Sequence, residues 1–229
     1  MRLDKFICKH TDLSHRDSRW AVAAGRVTVA DSLITDPRAE IDRFVRVTLD
    51  GRVLQECQAH YIMLHKPAGY LSATSDPEHP TVMELMPDLL REQLHIGGRL
   101  DRASTGLLIL TNDGLWSRRL TEPGKKLPKV YRVTTAEPIA ADAEQRFAEG
   151  FYFATEDLTT TPAQLERLGE REARVTIYEG RYHQIKRMFA RVGNRVVELH
   201  REKMGLIELD LALTPGEFRA LTEAEVASV

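Results

Sequence analysis

The chain has 229 residues, of which 42% are hydrophobic and 29% charged, and its formal net charge is −2. That composition fits a globular protein with one large and one small domain, and it excludes a disordered or low-complexity chain. No stretch approaches the ~20 apolar residues needed to span a bilayer, Met1-Arg2-Leu3-Asp4-Lys5 lacks a signal peptide's apolar run, and Cys8 and Cys57 lack zinc-type spacing, so a cytoplasmic protein with reduced, partly buried thiols is expected.

Residues 1–58 read as a small αβ unit. Leu3, Phe6 and Ile7 share one helical face. Ser14 is a candidate N-cap for a second helix that turns Trp20, Ala23 and Ala24 inward. Gly25 ends that helix where a left-handed residue is wanted. Val27-Thr28-Val29 predicts a strand, and Phe44, Val45 and Val47 another. Arg2, Lys5, Lys9, Arg16, Arg19 and Arg26 are spread through the two helices, and Leu54 to His60 read as a polar connector.

From Tyr61 the pattern becomes short strands interrupted by helices. Tyr61-Ile62-Met63-Leu64 predicts a strand ending in the turn Lys66-Pro67-Ala68-Gly69. Leu107 to Leu110 is a fully apolar run, as in a strand buried on both faces. Val130–Thr134, Ala173–Tyr178 and Arg195–Leu199 predict further strands. Ala140–Glu149 and Tyr182–Val192 predict helices, the second with Tyr182, Ile185, Met188 and Phe189 on its apolar side. The irregular alternation indicates an α+β domain with a mostly antiparallel mixed sheet.

Charge is unevenly distributed. Arg118, Arg119, Lys125, Lys126, Lys129 and Arg132 face a single acid, Glu122, between Ser117 and Arg132. A second basic excess includes Arg181, Lys186, Arg187, Arg191, Arg195 and Arg201. Acids gather near the C-terminus, at Glu208, Asp210, Glu217, Glu223 and Glu225. Two basic segments suit a polyanionic partner, although a charge run is by itself also what a solvated face looks like.

The chain contains no Gly-x-x-x-x-Gly-Lys, Gly-x-Gly-x-x-Gly or Gly-x-Ser-x-Gly motif, and its eight histidines form no metal-type cluster. Nucleotide hydrolysis, hydride transfer and zinc chemistry therefore lose ground. Three segments remain. In Gly97-Gly98-Arg99-Leu100-Asp101-Arg102-Ala103-Ser104-Thr105-Gly106, a carboxylate lies between two arginines in a glycine-rich loop. This suits a nucleophile or general base, and equally an ion-paired surface aspartate. Lys129-Val130-Tyr131-Arg132-Val133 offers a ring that can stack on a base and a phenol that can exchange a proton, or a core tyrosine. Glu179 to Phe189 reads as an amphipathic helix with His183, Lys186 and Arg187 at its polar edges.

Together and in this order, these segments resemble the RsuA branch of the pseudouridine synthases. That branch carries Gly-Arg-Leu-Asp and Thr-Gly-Leu, then Lys-x-Tyr, then Glu-Gly-Arg-x-His-Gln-(Ile/Val)-Lys-Arg-Met. The matching residues are Gly98 to Asp101 with Thr105-Gly106-Leu107, Lys129-Val130-Tyr131, and Glu179 to Met188. Leu64 to Tyr70, Asp76 to Val82 and Val196 to Glu202 are also similar to that branch. Leu3-Asp4, Ser14-His15-Arg16 and Gly25-Arg26-Val27-Thr28-Val29 resemble the S4 RNA-binding module. Two departures stand out. Ala30-Asp31-Ser32 replaces the Asn-Gly that favours a tight hairpin turn. Asp101-Arg102-Ala103-Ser104 also lacks a second acid that the branch often has in its loop.

The resemblance implies an S4-like RNA-binding domain at 1–58 joined to a pseudouridine synthase catalytic domain at 59–229. It implies an isomerase needing no cofactor and no metal, acting on ribosomal RNA or a subunit assembly intermediate, with no membrane partner and as a monomer. Asp101 would be the nucleophile, attacking ribose C1′ or assisting glycal formation there, with attack at base C6 the other route. Tyr131 would stack on the detached base and accept a proton, and Lys186 would be the carboxylate's basic partner. Arg99, Arg102, Lys126, Lys129 and Arg187 would contact RNA, as would Arg2, Lys5, Arg16, Arg19 and Arg26 of the first domain. The favoured substrate is 16S rRNA. The alternatives are a 23S enzyme of the same branch and a non-catalytic S4-type protein, while an aspartate-nucleophile hydrolase lacks a visible second carboxylate or metal ligands.

Overall fold

In the computed structural model of the protein, the apolar spacing at Leu3, Phe6 and Ile7 builds α1 (Leu3–His10), with all three side chains buried. The structure describes residues 1–122 and 127–229, so Lys125 and Lys126 of the first basic segment lie outside the described residues. The chain divides into two units, Met1–Ala59 and His60–Val229.

In the first unit, Ser14 caps α2 (His15–Ala23), its hydroxyl accepting from the Asp17 N–H at 3.1 Å. That cap sets the helix phase. Ser18, Ala21 and Val22 turn inward, whereas Trp20 lies two residues from both Ser18 and Val22, about 200° around the helix, and is 63% exposed. The inward placement expected for Trp20, Ala23 and Ala24 is therefore corrected, since all three are exposed. Gly25 does adopt the left-handed conformation, at φ +70°.

Strands β1 (Val27–Val29), β2 (Ser32–Leu33), β3 (Val47–Leu49) and β4 (Arg52–Gln55) form an antiparallel sheet in the order β2-β1-β3-β4. Phe44 and Val45 fall outside β3, because the Asp42 carboxylate accepts the Phe44 N–H at 2.8 Å and holds that segment in a turn. Leu54 and Gln55 belong to β4, so the connector is shorter than expected. The β1–β2 turn is tight despite lacking Asn-Gly. Val29 pairs with Ser32, and Ala30 and Asp31 both take positive φ, +48° and +62°, as a two-residue hairpin turn requires. Alanine tolerates that region poorly. Ala30→Asn is therefore expected to stabilise the protein by roughly 0.5–1 kcal/mol, read as a higher urea midpoint for the unit's transition.

The second unit contains, in chain order, β5 (Tyr61–Lys66), a 3-10 turn at Val82–Leu85, α3 (Asp88–Arg91), β6 (His95–Ile96), β7 (Thr105–Thr111), α4 (Gly114–Thr121), β8 (Lys129–Thr135), α5 (Ala143–Glu149), β9 (Tyr152–Phe153), β10 (Leu158–Thr159), β11 (Gln164–Arg167), β12 (Glu172–Ile177), α6 (Gln184–Arg191), β13 (Val196–Met204), β14 (Ile207–Glu208), β15 (Phe218–Ala220) and α7 (Glu223–Ala227). A mixed sheet runs β11-β12-β8-β13-β7-β5-β15, with β14 on β13 and β6 on β7. Its one parallel pairing among these strands joins β7 to β13, His200 opposite Thr105 and Arg201 opposite Gly106.

The apolar run of β7 is explained by burial on both faces. Leu107 and Ile109 pack with Trp116 and Leu120 of α4, while Leu108 and Leu110 pack with Val82, Met83 and Met86. A third core lies under α5 and α6, where Phe147, Ile185, Met188 and Phe189 meet Tyr131, Val133 and Val175. The helix expected from Tyr182 begins only at Gln184, because His183 sits in the left-handed region at φ +48°. Tyr182 is not on the apolar stripe but 77% exposed. Among the described residues, no helix is long and apolar enough to cross a membrane, and Cys8 and Cys57 are free and half-buried.

Candidate active site

The loop that carries Asp101 leads directly into β7, and two buried cations hold its backbone. Lys66, at the end of β5, donates to the carbonyls of Pro67 at 3.0 Å, Arg102 at 3.2 Å and Ser104 at 2.8 Å. Arg201, on β13, donates from Nε to the Leu107 carbonyl at 2.8 Å and from its two terminal nitrogens to the carbonyls of Arg99 at 3.2 Å and Gly98 at 3.3 Å. Ser72 clamps the Leu100 backbone in both directions, donating to its carbonyl at 2.8 Å and accepting its N–H at 3.1 Å. Gly98, at φ +98°, takes a backbone shape that other residues rarely adopt. Carbonyl dipoles thus replace the water that the two charges lose on burial.

Burial brings the Lys66 ammonium down to about 8. The Asp101 carboxylate opposes this shift, and the Arg201 guanidinium adds to it. The folded-state value lies below that of the unfolded chain, so between about pH 8 and the ordinary lysine range the unfolded state binds more protons. The burial cost is present in full below that window and fades as pH rises through it. Lys66→Met would leave three carbonyls without their donor, and a loss of roughly 2–5 kcal/mol is expected. By urea denaturation, the stability gap between wild type and variant should widen as pH is raised from 8 to 10.

The carboxylate itself emerges from this buried setting. Asp101 Oδ2 lies 3.1 Å from Lys186 Nζ and 3.5 Å from His183 Nε2, with each side chain about a third exposed. Lys186 faces Asp101 because Ile185, Met188 and Phe189 bury the other side of α6. The turn before α6 is braced by Glu179, whose carboxylate accepts from the Thr161 N–H at 2.9 Å, Gln184 at 2.9 Å and Arg181 at 3.0 Å. Gln184 in turn accepts the Arg181 N–H at 3.1 Å. The Tyr182 ring stacks on His183, with centroids 3.9 Å apart and planes 16° apart.

Tyr131 stands on β8, opposite Arg201 of β13 and Val175 of β12, and only 7% of it is exposed. Its hydroxyl lies 3.5 Å from the Arg201 terminal nitrogen that also holds the Arg99 carbonyl. One guanidinium therefore ties the tyrosine to the Asp101 loop. Arg201 and Lys66 were not singled out from sequence. Arg201 stands in a basic segment and Lys66 in a turn, and both lie in stretches similar to the RsuA branch, but neither carries a role from sequence.

The expected RNA contacts divide into four groups. Arg99, Arg16, Arg19 and Lys5 are exposed. Arg102 is exposed with its Nε on the Gly69 carbonyl at 3.1 Å. Other basic residues are already engaged: Arg2 with Asp4, Arg26 with Asp50, and Arg187 with Glu156 while lying 3.6 Å over the Phe153 ring. Lys129 is half-buried, and burial lowers its proton affinity; Arg201 pushes the same way and Glu179 opposes it. Lys126 lies outside the described residues. Arg132 and Arg174 share Glu202, and Arg219 is held by Asp210 and Glu225, so much of the apparent charge segregation is internally paired.

The arrangement offers an accessible carboxylate with the Lys186 ammonium beside it, set on a braced backbone and linked to a tyrosine. Residues 60–191 match the family model for RNA pseudouridylate synthases. The chain is 53% identical to the ribosomal small subunit pseudouridine synthase A of Pseudomonas aeruginosa and 45% identical to that of Escherichia coli K12, in each case over the whole of both chains. A solved structure of a pseudouridylate synthase aligns with a TM-score of 0.73 and 37% identity, covering 100% of this chain and 99% of that one. This chain belongs to the RNA pseudouridylate synthases, an isomerase family, within the RsuA branch.

Proposed function

We propose that the protein isomerises a uridine of small-subunit (16S) ribosomal RNA to pseudouridine, with Asp101 as the catalytic nucleophile. The observation that carries this reading is the Asp101 carboxylate, 3.1 Å from Lys186 Nζ at the edge of a loop pinned by Lys66 and Arg201. Whole-length similarity to small-subunit synthases supports the choice of RNA.

The reaction rearranges bonds without net addition or loss of atoms from the nucleotide's skeleton. The C1′–N1 bond breaks, with Asp101 attacking C1′ or assisting glycal formation, or else adding at C6. The uracil turns, a C1′–C5 bond forms as any bond to Asp101 breaks, the C5 proton leaves and N1 gains a proton. Tyr131 supplies a ring for the base to stack on and a phenol to take a proton. Lys186 balances the carboxylate's charge while it is unbonded. The target base must first be turned out of the RNA, at about a few kcal/mol. The exposed cations Arg99 and Arg102 offset this by holding phosphates.

The first unit is proposed to grip the RNA as an S4-like module, and the enzyme to work as a cytoplasmic monomer on ribosomal RNA or an assembly intermediate. Mapping pseudouridine in both ribosomal RNAs from a strain lacking this protein tests the assignment. One missing small-subunit site supports it, whereas a missing 23S site replaces it with the large-subunit reading, and an intact map overturns both. RNA containing 5-fluorouridine separates a synthase from a non-catalytic binder, since only a synthase processes or traps that base.

A further inference from the structure

We propose that the cleft around Trp20 on α2 is a subsite for an unpaired nucleotide of RNA, with the base stacked on the indole and its phosphates held by Arg16 and Arg19. The proposal rests on the reading of the first unit as an RNA-binding module, and it adds what that module recognises. Trp20 is 63% exposed, an unusual position for the largest apolar side chain. Arg16, Arg19, Trp20 and Ala23 follow one another at helical spacing on the same outward face. With His15 and Pro37 they line an open cleft of about 600 Å³.

Two arginines flank this ring, and the exposed acids next in sequence to the residues lining the cleft are Asp17 and Asp36. Among the described residues, Arg16 and Arg19 have no carboxylate partner, and both are exposed. Of the nearby acids, Asp50 holds Arg26 and buried Asp4 holds Arg2 with His15 at 4.0 Å, whereas among the described residues Asp17 accepts only the Ser14 hydroxyl and Asp36 only the Arg38 N–H at 2.9 Å. The Arg26 guanidinium carbon lies 5.8 Å from the Trp20 centroid and steadies the indole through a cation–π contact.

An exposed aromatic ring beside guanidiniums that lack a carboxylate partner is the combination that binds single-stranded nucleic acid, because every base has a π-face and every linkage a phosphate. A duplex can meet the arginines but keeps its base faces stacked. An acidic peptide or an anionic lipid surface satisfies the charge without using the ring's plane.

The protein reports on this site itself. It has two tryptophans, Trp20 in the cleft and Trp116, which is 1% exposed. Titrating the full chain with a short oligouridylate is expected to quench tryptophan fluorescence saturably. Trp116→Phe should retain the quench, and an RNA duplex of equal phosphate count should bind without it. Trp20→Leu should lose the quench and weaken oligouridylate binding by roughly 5- to 150-fold, measured by anisotropy of a labelled strand. The residue is exposed, so an unchanged far-UV spectrum and urea midpoint will show that the fold is intact. Combining Arg16→Gln with Arg19→Gln should lower the slope of log affinity against log salt by about 0.7 per lost phosphate contact.

Oligouridylate binding that leaves Trp20 unquenched, with Trp20→Leu binding as tightly as wild type, overturns the subsite while leaving the module's RNA-binding role standing. An equal quench by the duplex, by polyglutamate or by anionic phosphatidylserine vesicles also overturns it. Absence of any RNA binding by the full chain overturns both readings.

Discussion

Asp101→Asn is expected to lower pseudouridine formation by about four orders of magnitude or more, while RNA affinity stays within roughly threefold. The substitution preserves side-chain shape and leaves an oxygen near Lys186, but an amide cannot form and release the bond that a carboxylate nucleophile makes to carbon. The fold should tolerate it. Asp101 is about a third exposed and its ion pair with Lys186 is at the surface, where such pairs contribute on the order of 1 kcal/mol or less. The loop's shape comes instead from Lys66, Ser72 and Arg201. Release of tritium from C5-labelled uridine in RNA measures the loss directly, since that proton must depart. A variant that retains more than about a hundredth of wild-type turnover removes Asp101 from the nucleophile's role.

Gly106→Ala should damage the fold more than any other single methyl group added near the site. Gly106 sits at φ +105° where β7 meets β13, and a Cβ there would overlap the carbonyl oxygen of Arg201 and lie 2.6 Å from its nitrogen. The obstacle is backbone rather than a flexible side chain, so nothing can swing aside. Either the parallel pairing of β7 with β13 opens or the loop shifts, and both take Arg201 away from Gly98 and Arg99. A loss of roughly 3–5 kcal/mol is expected, equivalent to roughly 10 °C or more in melting temperature for a unit of this size. Calorimetry with far-UV circular dichroism checks it. A variant that melts within about 2 °C of wild type shows that the pairing can part at that point without cost.

Local patterns were legible in the sequence wherever the determining forces are local. The Ser14 cap, the left-handed Gly25, the doubly buried run from Leu107 to Leu110 and the amphipathic spacing of Ile185, Met188 and Phe189 all follow from neighbours along the chain. Motif order also brought Asp101 and Lys186 to attention, and the structure places them together. What escaped depends on partners far away. Arg201 looks like a solvated arginine until β13 pairs with both β7 and β8 and buries its guanidinium among carbonyls. Trp20 looks like core because large apolar residues usually are, whereas the helix phase set by Ser14 turns it outward. Tyr182 fits the helical stripe, yet His183 at φ +48° stops the helix before reaching it.

The reach of Arg201 along the chain also sets when the loop that bears Asp101 can be completed. Its hydrogen bonds to Leu107, Arg99 and Gly98 span 94, 102 and 103 residues. Contacts that close such long loops form slowly, and none can form before both ends have been synthesised. The first unit, complete at Ala59, faces no such delay. A nascent chain halted before β13 would hold all three signature motifs and a finished N-terminal unit, yet the loop bearing its carboxylate would still lack one of the two buried cations that hold it. In this molecule, the rigidity of the loop depends on a strand made long after the loop itself.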